Sequence, residues 1–332
     1  MTCHVARLVA RIVLIIAASI LLVAAAYEHV GAWRDGRVLR KQIGRRSVDI
    51  GGRTLNISCL GEDSPTVVFV SGRTAPGYVW NPTQRGVSTF ARACWYDRAD
   101  TGWSDSGPDP AWGDQAARDL HQLLQNAKIT PPLVLVGHSF GGYIIRLYNH
   151  AYPSEVSGMV FVDAALEDAG TIQGIPHRNR PPIPRSLIRG LSILFGRLGL
   201  MRFLASDLGP RPKGWSAEEW DTLARLQRQR KVLLADAQVG PESATADLMR
   251  SLGGFEDMPL IVLTQGSPIQ DAHSTQARVR TAWVDLQRRL AQRSRRGRQV
   301  LVSESGHGIP IEAPESVAKA VREIVQTVRG QR

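Results

Sequence analysis

The chain has 332 residues, of which 43% are hydrophobic and 21% are charged, a balance that excludes an intrinsically disordered protein. The formal net charge is +11 at pH 7, from 41 Lys and Arg residues against 30 Asp and Glu residues. The basic clusters RQRK (228–231) and RSRRGR (293–298) lack interleaved aromatic residues and zinc-finger spacing. We therefore interpret them as solvated surface and expect no nucleic-acid partner.

The N-terminal region contains an uncharged apolar segment, residues 12–27 (IVLIIAASILLVAAAY). Counted as residues 5–27, it is long enough to cross a membrane. We interpret residues 1–27 as a membrane-targeting segment, either an uncleaved anchor or a signal peptide that is cut near Ala26. Basic residues flank the segment on both sides, so charge alone does not determine its orientation. Residues 28–46 are then a charged linker.

Short strands and helices alternate along the remaining domain, residues 47–329. Residues 46–61 alternate apolar and polar side chains around two glycines, which predicts a β-hairpin. Buried strands are predicted from apolar runs at 66–72, 94–99, 133–139, 158–164, 259–266 and 299–308. Helices are predicted from amphipathic spacing at 114–127, 278–293 and 315–329. This alternation predicts an α/β fold with a mostly parallel sheet and helices on both faces.

The interval at 166–257 contains no strand-like run. It has a Pro- and Arg-rich loop at 175–186 and helical patterns, one of which opens with a capping box from Ser216 to Glu219. So long an interval predicts a helical cap inserted after the sixth strand. Its large apolar residues suggest an apolar acyl or aromatic substrate, although such a stripe more often forms the cap's own core. These residues are Leu191, Leu194, Phe195, Leu200, Phe203, Trp215 and Trp220.

The segment 137–141 (GHSFG) joins a predicted strand to a predicted helix. In this setting a tight turn holds the serine hydroxyl above the edge of the sheet, and the glycines on either side of Ser139 avoid collisions of a Cβ. The first turn of the following helix brings backbone N–H groups to the same place. We predict that Ser139 is a nucleophile.

A serine hydroxyl needs a base at neutral pH, and His307 follows the last predicted strand between two glycines. Strand ends of a parallel sheet gather at one edge, which would bring His307 to Ser139. The remaining histidines have no metal-ligand spacing, and we expect no metal.

A carboxylate should orient the base. Asp163 ends the sixth strand and is the candidate we favour, while Asp271 in the loop after the seventh strand is the alternative acid. Glu167 and Asp168 are further alternatives.

The oxyanion of the tetrahedral intermediate requires two N–H donors. We expect one from Phe140, the residue after the nucleophile. The other should come from the loop SGRTAPG (71–77), at Arg73 or Thr74.

Together these segments resemble the α/β-hydrolase superfamily, and within it the membrane-anchored or exported hydrolases with an Asp-Arg-Ala-Gly-x-Gly-x-Ser-Asp motif after the fourth strand. The likeness spans about residues 47–329. Its matching segments are DRADTGWSD (97–105), GHSFGG (137–142), VFVDA (160–164), PLIVLTQG (259–266) and SGHGIPIEAPESV (305–317). The resemblance implies an eight-stranded, mostly parallel sheet with a cap after strand 6, a Ser-His-acid triad and no cofactor.

The sequence departs from the family pattern in three places. Asp100 replaces a Gly, and Ser-Gly-Arg stands where many members have His-Gly. Ile269 and Gln270 lie where a Gly-x-x-Asp motif would place the acid of the seventh strand. The third departure favours Asp163 over Asp271.

The family's strand order sets the second strand antiparallel beside the fourth. On this order Cys59 and Cys94 come close enough for a disulfide, which would require an oxidising compartment. The alternative is two free, buried cysteines. A disulfide favours a membrane-anchored protein with an extracytoplasmic catalytic domain, or a secreted one after cleavage.

The sequence thus predicts a serine hydrolase that cleaves an ester or related acyl bond of an apolar small molecule through an acyl-enzyme. C–C bond hydrolase, cofactor-free haloperoxidase and amidase or peptidase activities are alternatives on the same fold, and a non-catalytic ligand-binding protein is another. A serine nucleophile disfavours dehalogenase and epoxide hydrolase chemistry, which uses aspartate in this fold. The expected partners are the substrate and a membrane, and the sequence does not indicate an oligomeric state.

Overall fold

The structure is a computed structural model. It describes residues 2–41, 45–107, 113–172, 185–199, 202–203, 208–232 and 242–331.

The strands are β1 (Arg45–Asp49), β2 (Thr54–Leu60), β3 (Thr66–Val70), β4 (Arg92–Tyr96), β5 (Leu133–His138), β6 (Val156–Val162), β7 (Leu260–Gln265) and β8 (Gly297–Val302). They form one eight-stranded sheet of order β1-β2-β4-β3-β5-β6-β7-β8. The pairs β1/β2 and β2/β4 are antiparallel, and all other neighbours are parallel. The predicted fold class is therefore confirmed. Of the run predicted as a strand at 299–308, only the part up to Val302 is a strand. The residues from 303 to His307 form a loop.

The helices are α1 (Thr2–Leu39), α2 (Asn81–Val87), α3 (Gly113–Asn126), α4 (Gly141–Ala151), α5 (Arg185–Arg197), α6 (Ala217–Gln227), α7 (Glu242–Ser251), α8 (Thr275–Ala291), α9 (Ile309–Glu312) and α10 (Pro314–Arg329). Those predicted from amphipathic spacing correspond to α3, α8 and α10.

Two apolar clusters cover the two faces of the sheet, since side chains alternate along each strand. Val68 and Leu135 point into a cluster with residues of α3, α4 and α8. Phe69 and Val134 point into the other cluster, with residues of α2 and α10. Because β3, β5 and β7 are buried on both faces, their sequences read as continuous apolar runs.

The N-terminal helix α1 does not end where the apolar segment ends. It continues through Leu39, so most of the residues predicted as a charged linker are helical. Leu39 is buried in the same cluster as α10, and its carbonyl accepts a hydrogen bond from Trp103 Nε1 at 3.3 Å. Glu28 and Asp35 are seven residues apart, hence on one face of the helix, and both are buried.

We call residues 166–257 the cap. The described part includes α5, α6 and α7, and α6 begins at the predicted capping box of Ser216 and Glu219. Trp215 is buried and packs edge-on against Trp220, with ring centroids 5.5 Å apart. Leu200 and most of the loop at 175–186 lie outside the described residues.

A disulfide joins two neighbouring strands of the sheet. Cys59 of β2 is directly opposite Cys94 of the antiparallel strand β4, with a Cα–Cα distance of 4.1 Å and the sulfurs bonded. The cross-link therefore lies within the regular ladder that the family's strand order implies.

Candidate active site

The site lies at the edge of the sheet where the parallel strands end. Ser139 follows β5, Asp163 follows β6, and His307 lies in the loop after β8. Since β5, β6, β7 and β8 are consecutive neighbours, their carboxyl ends bring together residues that are far apart in sequence.

Ser139 occupies a sharp turn between β5 and α4. Its φ of 51° lies in the left-handed region, which a residue with a side chain rarely adopts. A Cβ on Gly137 would lie 2.6 Å from the Gly141 carbonyl oxygen, and one on Gly141 would lie 2.3 Å from the Val70 carbonyl oxygen. Both positions therefore require glycine for the turn to close, as the sequence pattern indicated.

The structure brings Asp163 and His307 together. His307 Nδ1 donates to Asp163 Oδ2 over 2.6 Å. The Asp163 side chain is fully buried, whereas that of His307 is half exposed. Asp163 also has a positive φ, 42°, at the point where β6 ends. The carboxylate therefore fixes one ring nitrogen and leaves the other free to face Ser139 or solvent.

Two further donors hold the Asp163 carboxylate. Its Oδ1 accepts from the backbone N–H of Gln265, at 3.0 Å, and from Trp283 Nε1, at 2.9 Å. With Oδ2 bound to His307, both oxygens are engaged, so the carboxylate is held as an acceptor rather than left to rotate. The sequence analysis did not single out Trp283, whose position on α8 facing β7 depends on the tertiary packing.

The other candidate acids have different partners. Asp271 Oδ1 accepts from the backbone N–H of His273 at 2.9 Å, a local turn before α8. Glu167 forms a two-pronged pair with Arg146 at 2.6 and 2.9 Å, and Arg146 is almost completely buried. Asp168 pairs with Arg250 at 3.3 Å. Of the four acids, only Asp163 is bonded to His307 among the described residues.

Within the described part of the chain, the Ser139 hydroxyl makes no hydrogen bond to His307. His138, the residue before Ser139, contacts His307. Its Nε2 donates to the His307 backbone carbonyl at 2.9 Å, and the two ring centroids are 4.9 Å apart. Burial lowers the pKa of His138 to about 4, so its ring is neutral at pH 7. Catalytic hydrogen bonds are often long or poorly aligned before substrate binds.

The loop after β3 lies beside Ser139. A Cβ on Gly72 would be 3.3 Å from Ser139 Cβ, and the Ser71 hydroxyl closes the loop by donating to the Ala75 carbonyl at 2.8 Å. Arg73 and Thr74 follow in this loop and are half-buried. Phe140, the residue after Ser139, is buried at the start of α4.

Arg98 holds the same loop by hydrogen bonds to its backbone carbonyls. Its guanidinium donates to the carbonyls of Gly72, at 2.5 Å, and of Arg73, and it lies 5.5 Å from the Phe140 ring centroid. These contacts turn the carbonyl side of the loop towards Arg98. Burial lowers the pKa of the Arg98 guanidinium from its ordinary value.

The loop that carries His307 is also held by a side chain. Glu312 Oε2 accepts from the Gly306 N–H and from the Ser305 hydroxyl, both at 2.8 Å. Among the described residues, no group of three or more His, Cys, Asp or Glu side chains is arranged to bind a metal ion.

A profile of the alpha/beta hydrolase family matches residues 67–320. The chain is 28% identical over 176 residues to the uncharacterised protein YqjL of Bacillus subtilis, covering 49% of this chain and 70% of that protein. The chain covers only 43% of the length of a relative from Schizosaccharomyces pombe and 18% of the length of one from Hormonema carpetanum.

Solved structures share the architecture at low sequence identity. A thermophilic esterase from Thermogutta terrifontis has a TM-score of 0.56 at 21% identity, with 86% of this chain and 98% of that chain covered. The epoxide hydrolase CorEH has a TM-score of 0.61 at 17% identity, with 86% and 99% covered. At such identities the likeness shows the fold and leaves the reaction open.

Proposed function

Because the chain belongs to the α/β-hydrolase family, we propose that it is a serine hydrolase that cleaves an ester, or a related acyl bond, of an apolar small molecule. The observation that carries the proposal is the 2.6 Å bond between His307 Nδ1 and Asp163 at the edge where Ser139 occupies its strained turn. An aspartate nucleophile, which the epoxide-opening members of this fold use, is not available at a turn occupied by Ser139.

In the proposed mechanism, Ser139 Oγ attacks the acyl carbon while His307 Nε2 takes the hydroxyl proton. Asp163 holds the Nδ1 proton and stabilises the imidazolium that forms. His307 then returns the proton to the leaving alcohol, and an acyl-enzyme remains on Ser139. A water molecule, deprotonated by His307, attacks this ester and releases the acid, which restores the serine.

The negative oxygen of each tetrahedral intermediate would accept from the N–H of Phe140 and from that of Arg73 or Thr74. The proposal is supported by the closeness of Gly72 to Ser139, since a Cβ on Gly72 would lie 3.3 Å from Ser139 Cβ. Because these donors belong to the backbone, their side chains are not needed for the task.

Labelling of the folded protein with a fluorophosphonate tests the proposal. We expect one covalent adduct on Ser139, detected by peptide mass spectrometry, and none in Ser139→Ala. The His307→Ala variant should react much more slowly, because the hydroxyl then lacks its base. An absence of adduct on Ser139 in folded protein would contradict a hydrolase and leave a ligand-binding role for the cleft.

We further propose that residues 5–27 anchor the chain in a membrane and that the hydrolase domain lies outside the cytoplasm. Among the described residues, α1 is the one helix long and apolar enough to span a bilayer. The Cys59–Cys94 disulfide supports an oxidising compartment. The alternative, cleavage near Ala26, would leave Glu28 and Asp35 attached to the domain.

A further inference from the structure

The helix α5 of the cap exposes an apolar face. Leu187, Leu191, Leu194 and Phe195 follow helical i, i+4, i+7, i+8 spacing, and between 38% and 52% of each residue is exposed. Phe203, shortly after this helix, is 72% exposed. Large apolar side chains grouped in this way mark an interaction surface rather than ordinary scatter.

This surface lies where the apolar segment of α1 ends. Gly199, between α5 and Phe203, is packed so closely on α1 that a Cβ there would be 3.2 Å from Glu28 Cβ and 3.3 Å from Tyr27 Cδ1. Tyr27 is the last residue of the apolar segment. The C-terminal end of α5 is therefore at the level at which α1 would leave the bilayer.

Buried ion pairs fix the cap to α1 at this level. Arg202 donates to Glu28 at 3.0 Å and to Asp35 at 2.6 Å, and Arg225 of α6 also donates to Asp35 at 2.6 Å. With Gly31 packed against the Arg202 guanidinium, the two elements are in direct contact. The cap thus cannot turn its apolar face away from the membrane without breaking these pairs.

The charges around the surface suit a bilayer. A cavity of about 420 Å³ lies between α1 and the cap, and two of the cations that line it, Arg197 and Arg230, are exposed. The other two, Arg202 and Lys231, are engaged within the protein. Tyr27, at the end of the apolar segment, is also exposed. Aromatic and basic side chains at the end of a membrane-spanning segment match the headgroup region of a membrane that contains anionic lipid.

We propose that the cap is seated on the membrane that α1 crosses, with the apolar side chains of α5 and Phe203 immersed in the boundary between headgroups and acyl chains. This inference rests on the proposed anchor.

Site-directed fluorescence labelling of the full chain tests the seating. In a Cys3→Ser background, a nitrobenzoxadiazole probe is placed at Leu194→Cys, Phe203→Cys, Ile15→Cys or Asp247→Cys. The chain is incorporated in nanodiscs of phosphatidylcholine and phosphatidylglycerol, and the rate of probe reduction by dithionite is measured. Asp247 is the matched control, because it is exposed and belongs to the same cap. It lies on α7, whose Met249 packs on one face of the sheet, whereas Leu39 of α1 packs on the other face, so α7 is on the side away from α1.

We expect the probes at Leu194 and Phe203 to react several-fold more slowly than the probe at Asp247, and to be quenched by doxyl-labelled lipid. Ile15 should be the most protected. If Ile15 is protected while the Leu194 and Phe203 probes react as fast as the Asp247 probe, the seating is wrong and the anchor stands. If the probe at Ile15 reacts as fast as that at Asp247, the anchor fails, and the seating fails with it.

Discussion

Two of the residues to which we assign the chemistry have a strained backbone conformation. Among described residues other than glycine, positive φ occurs at Asp100, Lys128, Ser139, Asp163 and Glu256. Ser139 and Asp163 end adjacent strands, and such conformations are maintained only where the surrounding structure requires them. At Asp100, φ is 64°, a conformation that glycine adopts without strain. Aspartate is one of the few side chains that tolerate the left-handed region.

The contact of Asp163 with His307 predicts which acid matters for activity. Replacing Asp163 by Asn removes the charge that stabilises the imidazolium and disturbs the tautomer of His307. We expect kcat for a short-chain ester to fall by about 10²- to 10⁴-fold. Asp271→Asn is the matched control and should remain near wild type, because its carboxylate contacts a local turn.

The measurement is initial-rate kinetics of wild type and the two variants, with circular dichroism to show that each is folded. A loss of activity in Asp271→Asn together with an active Asp163→Asn would move the acid to the loop after β7.

At the scale of elements, α1 is both the apolar segment and a structural part of the domain. Its Thr2–Leu39 span would measure about 57 Å, which is longer than a bilayer is thick. The part of α1 beyond the apolar segment contains Glu28 and Asp35, which pair with Arg202 of the cap. Because Arg202 and Arg225 both depend on Asp35, this carboxylate connects three segments of the chain.

Removal of Asp35 should therefore destabilise the protein. In Asp35→Ala, Arg202 and Arg225 lose a buried partner, and we expect the free energy of unfolding to drop by about 3 kcal/mol or more. Asp221→Ala is the control, since Asp221 also pairs with Arg225 but its side chain is 47% exposed. That variant should lose less than about 1 kcal/mol.

Both variants are measured by urea unfolding in detergent micelles, followed by tryptophan fluorescence. Equal effects of Asp35→Ala and Asp221→Ala would show that the pair on α1 contributes no more than a surface pair.

At the scale of the whole molecule, the disulfide closes a loop between residues 35 positions apart and joins β2 to β4. The cross-link reduces the conformational entropy of the unfolded chain. Reduction should therefore lower the free energy of unfolding by roughly 3–4 kcal/mol for a loop of this length. The measurement compares urea unfolding with and without dithiothreitol.

The Cys59→Ala/Cys94→Ala double variant is the control and should be indifferent to the reductant. A wild-type protein whose unfolding curve does not shift on reduction would contradict a stabilising role of the bond, and with it one support for an oxidising compartment.

Much of the fold was readable from local patterns. The turn at Ser139, the buried strands and the capping box at Ser216 each depend on neighbouring residues, because apolar periodicity, glycine and capping chemistry act over a few positions. The extent of α1 was not readable in this way. Its last third, from Glu28 onward, has the sequence of a charged linker, and only the contact of its acids with Arg202, 174 residues after Glu28, shows its role in the fold.

The sequence by itself therefore determined the strands, the helices α3, α8 and α10, the turn at Ser139 and the set of candidate acids and bases. Only the tertiary structure decided that Asp163 meets His307 across a separation of 144 residues, that Trp283 and Gln265 hold the carboxylate, and that Arg98 supports the loop beside Ser139. The physical reason is that strand order and register set these contacts, and order and register are properties of the assembled sheet rather than of any segment.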